Sequence, residues 1–283
     1  MGYFLLAVNT VTNALQSVCK KFLNRRSSHS ECTFSAMITT AAFLFFLLFA
    51  SRGAYSLSLL PYSIGFSFCY AVAAVTCVLA LNEGSLALTN LSLAYSVVIP
   101  LVYSMVFCNE SITPLQGLGL LCVCISFLLV YGKRDKEKRT VSLKWLFYVG
   151  ALFVSNGLCS VFMRMQQRRF LSQYDTAFMI ISLAIATLLL WGTALFRERT
   201  TLRTAIRKGW WLSGICGTLN GITNRGGLAC LLLLPGTIYY SVLSAGTLIV
   251  SGILSLLVFK ERFTRLQTVG MLFGVLAVVL LNC

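Results

Sequence analysis

The chain has 283 residues, of which 58% are hydrophobic and only 11% are charged, and its mean hydropathy is +0.83. A soluble domain of this size carries roughly a quarter charged residues, so the composition excludes an ordinary soluble protein and predicts an integral membrane protein. The formal net charge of +15 is compatible with a nucleic acid partner, but the basic residues stand in short segments between apolar runs, where they act as orientation signals. We therefore expect the lipid bilayer, and not nucleic acid, as the partner of this chain.

Ten apolar runs follow one another along the chain, each near the length of about 20 residues that a helix needs to cross a bilayer. They cover residues 3–22, 32–51, 61–81, 86–107, 114–132, 143–163, 175–196, 209–232, 236–259 and 265–282. The first run lacks the basic region of a signal peptide, so we expect it to be an uncleaved helix. The runs are too long and too evenly apolar for barrel strands, and they predict an all-α integral membrane fold with ten transmembrane helices.

A phrase after the fourth run is repeated after the ninth run. NESITPLQGLG covers residues 109–119 and KERFTRLQTVG covers residues 260–270, and both contain Glu-x-x-Thr-x-Leu-Gln-x-x-Gly. The repeat aligns Glu110 with Glu261, 151 residues later. The repeat unit is therefore five helices.

A second pair of similar segments lies in the first and sixth runs, where VTNALQSV resembles VSNGLCSV and Asn13 aligns with Asn156. The repeated phrase and this second pair of segments predict a first five-helix repeat over residues 1–132, a basic linker over 133–142 and a second five-helix repeat over 143–283. Five crossings leave the chain on the opposite side of the membrane, so the second repeat is expected to be inverted. Inverted repeats are typical of secondary transporters, which bind substrate at the repeat interface near the middle of the membrane.

These features resemble the drug/metabolite transporter superfamily, in its ten-helix EamA-like branch. The resemblance covers nearly the whole chain and depends on the repeated phrase, on Pro100 in the fourth run and on the polar first run that ends in Lys20-Lys21. It implies a secondary transporter of metabolites, amino acids, nucleotide sugars or drugs, often outward and sometimes coupled to protons. We expect a multi-pass protein of the cell membrane, as a monomer or a homodimer.

One departure from this resemblance concerns the first helix. The small four-helix relatives, which exchange drugs for protons, depend on a glutamate in the middle of that helix. Here Asn9, Asn13 and Gln16 stand in the first run, and none of the eight acidic residues does. The departure disfavours a cationic-drug antiporter.

Arg225 lies about two thirds along the eighth run. A charge within a span costs at least roughly 2.5–3.5 kcal/mol and usually faces a cavity, although an arginine can also snorkel or bind backbone carbonyls. Asn220 and Asn224 share one helix face next to it and are expected in the same cavity. Because a guanidinium binds carboxylate or phosphate through two hydrogen bonds, this group predicts an anionic substrate, and we expect Arg225→Ala to abolish transport.

Four further residues are candidates for the transport pathway. Asn13 and Asn156 either line the cavity or hydrogen-bond a neighbouring helix. Tyr95 is a candidate lining residue. Pro100 should kink the fourth helix, which shapes a gate or only permits packing.

Other patterns have a structural interpretation. Lys20 and Lys21 are interpreted as snorkelling anchors at the end of the first helix. The glutamates of the repeated phrase precede Thr113 and Thr264, which stand where helix N-caps are expected, so the phrase predicts a turn and a cap. The Gly-x-x-x-Gly pattern at Gly270 predicts close helix packing.

The eleven cysteines lie mostly inside apolar runs, and we interpret them as small buried hydrophobic side chains. No pair has zinc-finger spacing and the single histidine, His29, falls in a loop, so we expect no metal and no cofactor. No nucleotide-binding motif or catalytic constellation is present, so we expect neither an ATP-driven pump nor an enzyme. Most of the basic residues fall in the odd-numbered loops, which favours termini outside the cell, whereas the resemblance implies termini inside.

The sequence thus predicts a secondary transporter, with export as the expected direction, that moves a small polar or anionic metabolite by alternating access between two inverted repeats. The alternatives are a proton-coupled drug exporter and a non-transporting membrane receptor or scaffold. A polar cavity between the halves would favour a carrier over a scaffold.

Overall fold

The computed structural model describes residues 2–26, 30–49, 55–96, 98–108, 113–131, 143–171, 173–233, 236–260 and 264–281. These ranges form eleven α-helices, one 3-10 helix at Leu57–Leu59 and no β-strand, so the predicted all-α class is confirmed for them. The helices are α1 (Gly2–Arg26), α2 (Glu31–Phe49), α3 (Leu60–Glu83), α4 (Leu86–Tyr95), α5 (Val98–Cys108), α6 (Pro114–Tyr131), α7 (Leu143–Phe170), α8 (Asp175–Arg197), α9 (Leu202–Leu233), α10 (Gly236–Phe259) and α11 (Arg265–Leu281).

Each predicted apolar run overlaps a helix, and the fourth run is divided between α4 and α5. Within the described residues, four helical segments are both long and apolar enough to cross a bilayer: Glu31–Leu48, Leu57–Glu83, Leu143–Phe170 and Asp175–Arg197. Many large apolar side chains on the outer faces of the helices are exposed, among them Leu48, Leu188 and Phe196. A surface of this kind is stable in lipid, which agrees with the prediction of a membrane protein.

The division between α4 and α5 follows from Pro100. A proline has no backbone N–H, so the carbonyl of Ser96 loses the bond that residue 100 would donate in a continuous helix. That carbonyl instead accepts the N–H of Ile99 at 3.2 Å, which tightens the turn. The expected kink therefore takes the form of a break, and it lies four residues before the proline because the missing bond would end there.

The first helix of each predicted repeat packs mainly against helices of the other repeat. The helix α1 packs against α9 and α10, and α7 packs against α3, α4 and α5. The pair α6 and α11, which end the two predicted repeats, also pack on each other. At their contact Ser126 of α6 donates a hydrogen bond to the carbonyl of Gly270, where the glycine pattern predicted close packing.

The repeated phrase forms the same local structure in both places. Before α6, the hydroxyl of Thr113 accepts the N–H of Gln116 at 3.2 Å, and the Gln116 amide oxygen accepts the N–H of Thr113 at 3.2 Å. Thr264 and Gln267 make the same two bonds before α11, at 3.2 and 3.0 Å. These reciprocal bonds are capping boxes, so the predicted capping by the two threonines is confirmed. The glutamates of the phrase lie outside the described residues.

Candidate functional site

A cavity of about 330 Å³ lies between α1, α3, α4, α7, α9 and α10. The helix α1 supplies its most polar side through Asn13, Gln16, Ser17 and Lys20. Their spacing of three, four and seven residues from the first member places all four on one helix face. The cavity is therefore built from a polar stripe that is continuous over two helical turns.

Five asparagines line the cavity, and they come from four different helices: Asn13, Asn90, Asn156, Asn220 and Asn224. The described lining residues include no aspartate or glutamate. Amide groups can both donate and accept hydrogen bonds. The arrangement can therefore hold a polar molecule in a site without a negative charge.

Lys20 places a cation on this lining. Its side chain is half-buried and makes no hydrogen bond or ion pair with any residue in the part of the chain that the structure describes. Its ammonium is close enough to Tyr70 of α3, on the same cavity lining, to interact with it electrostatically. An ammonium without a counter-charge among its described neighbours is an attachment point for an anion.

Lys21 has a different environment from its neighbour. It is 8% exposed, its ammonium donates to the carbonyl of Gly84 at 3.1 Å, and it lies 4.9 Å from the ring centroid of Phe259. The interpretation of Lys20 and Lys21 as a pair of snorkelling anchors is therefore corrected. Both are inside the helical body because α1 continues to Arg26 instead of ending beside them.

The two aligned asparagines make equivalent contacts across the predicted repeats. The Asn156 amide donates to the hydroxyl of Ser96 at 2.6 Å, and the Asn13 amide donates to the hydroxyl of Thr247 at 3.4 Å. The offset of 151 residues that aligns the repeated phrase also aligns Ser96 with Thr247. Each contact, which we call a crossed contact, therefore joins the first helix of one predicted repeat to the fourth helix of the other predicted repeat. Each asparagine therefore hydrogen-bonds a neighbouring helix and also lines the cavity, so both of the expected roles apply.

The structure separates Arg225 from the asparagines next to it in sequence. Asn220 and Asn224 both line the cavity, and the Asn224 amide donates to the Asn220 amide oxygen at 2.8 Å. The side chain of Arg225 is exposed on the outside of the helices and does not belong to the lining. One further residue along a helix turns the side chain by about 100°, which carries Arg225 away from the asparagine face. The expectation that all three share one cavity is thus corrected for Arg225.

Tyr95 and Pro100 lie near the cavity but not on it. Tyr95 is 1% exposed and hydrogen-bonds Ser126, so it ties α4 to α6. Pro100 is buried in α5, one turn after the break in the helix. Their roles in the structure are to fix the position of the broken helix, whose Ser96 receives the crossed contact.

Sequence reasoning did not select Lys20, Gln16, Tyr70 or Asn90 as lining residues. The spacing of Gln16 and Lys20 relative to Asn13 on α1 is a signal that could have found two of them. Asn90 carries no such signal, because its place depends on how α4 packs against α1.

Comparison with known proteins leaves the family open. No family model matches the chain, and no curated protein matches it. Among solved structures, 27 chains match. One, a crystal structure described only as that of a protein, covers 96% of this chain and 97% of its own, with a TM-score of 0.54 and 13% sequence identity. A likeness at this identity shows a shared fold and carries no information on activity.

Proposed function

We propose that the chain is a secondary transporter of the ten-helix, EamA-like kind, which moves a small polar or anionic metabolite across the cell membrane by alternating access. The observation that carries the proposal is the position of Lys20, a cation with no described counter-charge in a cavity lined by amide groups. The cavity has about 330 Å³, close to the lower end of the roughly 300–1,000 Å³ that is usual for small-molecule sites.

The two inverted five-helix repeats are part of this proposal, and three features support them. The repeated phrase forms equal capping boxes before α6 and α11. The crossed contacts of Asn13 and Asn156 join corresponding helices. The break between α4 and α5 lies beside the cavity, and interrupted helices at the substrate site are a common feature of transporters with inverted repeats.

The packing of the helices suggests which groups would move. Of the helices around the cavity, α1 packs most extensively on α9, α10 on α1, α4 on α10, and α3 on α7. They therefore form one group of α1, α4, α9 and α10 and a second group of α3 and α7. We infer that these two groups, and not the two halves of the sequence, would rock against each other. Each group combines helices from both predicted repeats, and the packing within it would let it move as one rigid unit during the exchange of open sides.

The rival functions are less well supported. A proton-coupled exporter of cationic drugs needs a carboxylate near its substrate, and the described lining has none. A scaffold has no need of a polar cavity between its helices. The cavity is the observation that favours a carrier.

The test is transport by the purified protein in liposomes, measured by counterflow with a panel of labelled small anions and matched neutral compounds. We expect Lys20→Gln to reduce uptake of the transported anion by at least roughly tenfold, because a hydrogen bond to a charged group contributes about 1.5–3 kcal/mol. Arg225→Gln is the matched control, since it removes the same charge from a side chain outside the lining, and it should change uptake by less than about twofold.

Two results would contradict the proposal. If Arg225→Gln abolished uptake while Lys20→Gln retained it, the cavity would not be the substrate site. If the wild-type protein moved no compound in the panel under any gradient, a receptor or scaffold would be the better interpretation.

A further inference from the structure

Asn90 is buried but has an unused hydrogen-bond donor. The residue is 4% exposed, lies on α4 and lines the cavity. Its amide oxygen accepts the hydroxyl of Ser17 at 3.1 Å, whereas its amide nitrogen has no partner among the described residues. A buried donor without a partner is costly, and native structures usually retain one only where something else binds it.

The bond to Ser17 determines which end of the Asn90 amide is free. Ser17 and Lys20 are three residues apart on α1 and share its cavity face. The free nitrogen of Asn90 and the ammonium of Lys20 therefore belong to the same side of the cavity, where α1 meets α4. Neither group can accept a hydrogen bond, because an ammonium and an amide NH₂ only donate.

We propose that Asn90 and Lys20 together form a subsite for an oxyanion, a carboxylate or a phosphate group, which uses one oxygen for each donor. Ser17 is the positioning residue that holds the Asn90 nitrogen toward the ligand. This inference rests on the proposed function and makes it more specific, since an ammonium beside a second donor binds a charged oxyanion more strongly than a neutral polar group. A neutral amide of the same shape has one acceptor oxygen in place of two and carries no charge, so it would bind more weakly.

The experiment measures binding to the full chain purified in detergent, by titration of thermal stability with succinate, its neutral diamide succinamide, and inorganic phosphate. We expect at least one of the two anions to bind roughly tenfold or more tightly than succinamide. Succinate and phosphate are separate arms that decide whether the subsite takes a carboxylate or a phosphate.

The decisive variant is Asn90→Asp. An aspartate keeps an oxygen that can accept the hydroxyl of Ser17, but it replaces the donor with a negative charge. If Asn90 binds the anion, Asn90→Asp and Asn90→Leu should both weaken anion binding by roughly tenfold or more. Ser17→Ala should weaken it only about threefold, because the Asn90 amide keeps its NH₂ group but is then free to turn. Thr89→Val is the control on the same helix, since Thr89 is fully buried and, among the described residues, its hydroxyl donates only to the carbonyl of Ser85 just before α4; this variant should bind as the wild type does.

Thermal stability without ligand and a monodisperse elution profile show whether each variant is folded. The proposal is overturned if folded Asn90→Asp binds the anion as the wild type does, because Asn90 would then only hold Ser17. It is also overturned if succinamide binds as well as the anions, or if neither anion binds. An anion that binds through Asn90 but is not transported would instead refute the transporter function and leave the subsite in place.

Discussion

The two crossed contacts differ in length, and this difference predicts unequal coupling energies. The bond between Asn156 and Ser96 has a length of 2.6 Å, whereas the bond between Asn13 and Thr247 is 3.4 Å, close to the outer limit for a hydrogen bond. Hydrogen bonds between membrane helices contribute about 0.6 kcal/mol on average and about 1.7 kcal/mol at most. We expect a coupling of about 1 kcal/mol for the short contact and about 0.3 kcal/mol or less for the long one.

Two double-mutant cycles measure these energies. Each cycle compares the wild type, two single alanine variants and the double variant, at positions 156 and 96 in one and at positions 13 and 247 in the other. The free energy of unfolding is obtained from reversible denaturation in mixed detergent micelles. A coupling of about 1 kcal/mol corresponds to about a fivefold change in the folding equilibrium, which such titrations resolve.

A third cycle between Asn156 and Thr247, which belong to different crossed contacts, is the control and should be additive within about 0.5 kcal/mol. Equal coupling in the first two cycles would refute the reasoning from bond length. Coupling near zero in both would show that the crossed contacts do not hold the repeats together, and the structural argument for their equivalence would lose its energetic basis.

Two further predictions concern stability. Glu198 is 7% exposed, and its carboxylate accepts backbone N–H groups in the first turn of α2 and the hydroxyl of Thr33 at 2.6–2.8 Å. Glu198→Ala should therefore cost about 2–4 kcal/mol of unfolding free energy in the same denaturation assay. Replacement of the exposed Arg199 by alanine should cost less than about 0.5 kcal/mol, and an equal loss in both variants would contradict the capping role. Thr113→Ala and Thr264→Ala should each cost about 1 kcal/mol of unfolding free energy, and the two losses should agree because the capping boxes are equivalent. A serine at either position should restore most of the stability. If it does not, the loss comes from the methyl contact of the threonine and not from the cap.

The presence of the helices and the caps of α6 and α11 were predictable because their signals are local. Apolar runs of spanning length, a proline at position 100 and the Thr-x-x-Gln pattern each act within a few residues, and the structure follows all three. The form of the break at Ser96 was not predicted, since it requires knowing which carbonyl loses its partner. Long-range packing, such as that of α1 against α9 and α10, has no local signal in a single sequence.

The errors on the two cations have different physical causes, the rotational position of Arg225 on its helix and the length of the helix that carries Lys20. Arg225 stands deep in an apolar run, but its rotational position takes it outside the cavity. Lys20 stood near the expected end of a run, but α1 continues for six residues beyond it, or about 9 Å, so its ammonium belongs to the interior. Depth along a helix depends on where the helix ends, and the face that a residue presents to a cavity depends on which helices surround it.

The proposed symmetry of the two repeats and the asymmetry of the proposed subsite have different consequences for function. The alignment that matches Asn13 with Asn156 places Met163 opposite Lys20, and the alignment of the repeated phrase places Ser241 opposite Asn90. Met163 packs against the apolar cluster around Phe178. The second repeat thus has the thioether of Met163 in place of the ammonium and the hydroxyl of Ser241 in place of the amide. Both donors of the subsite come from the first repeat.

An anion bound by these donors would lie off the axis that relates the two repeats, on the side where α1 meets α4. The equivalent asparagine contacts would permit two alternative arrangements of the helices, one open to each side of the membrane. Lys20 and Asn90 would remain attached to the same part of the substrate in both arrangements, because α1 and α4 belong to the same packing group. In this proposal symmetry accounts for the change in access, and the departure from symmetry accounts for the choice of substrate.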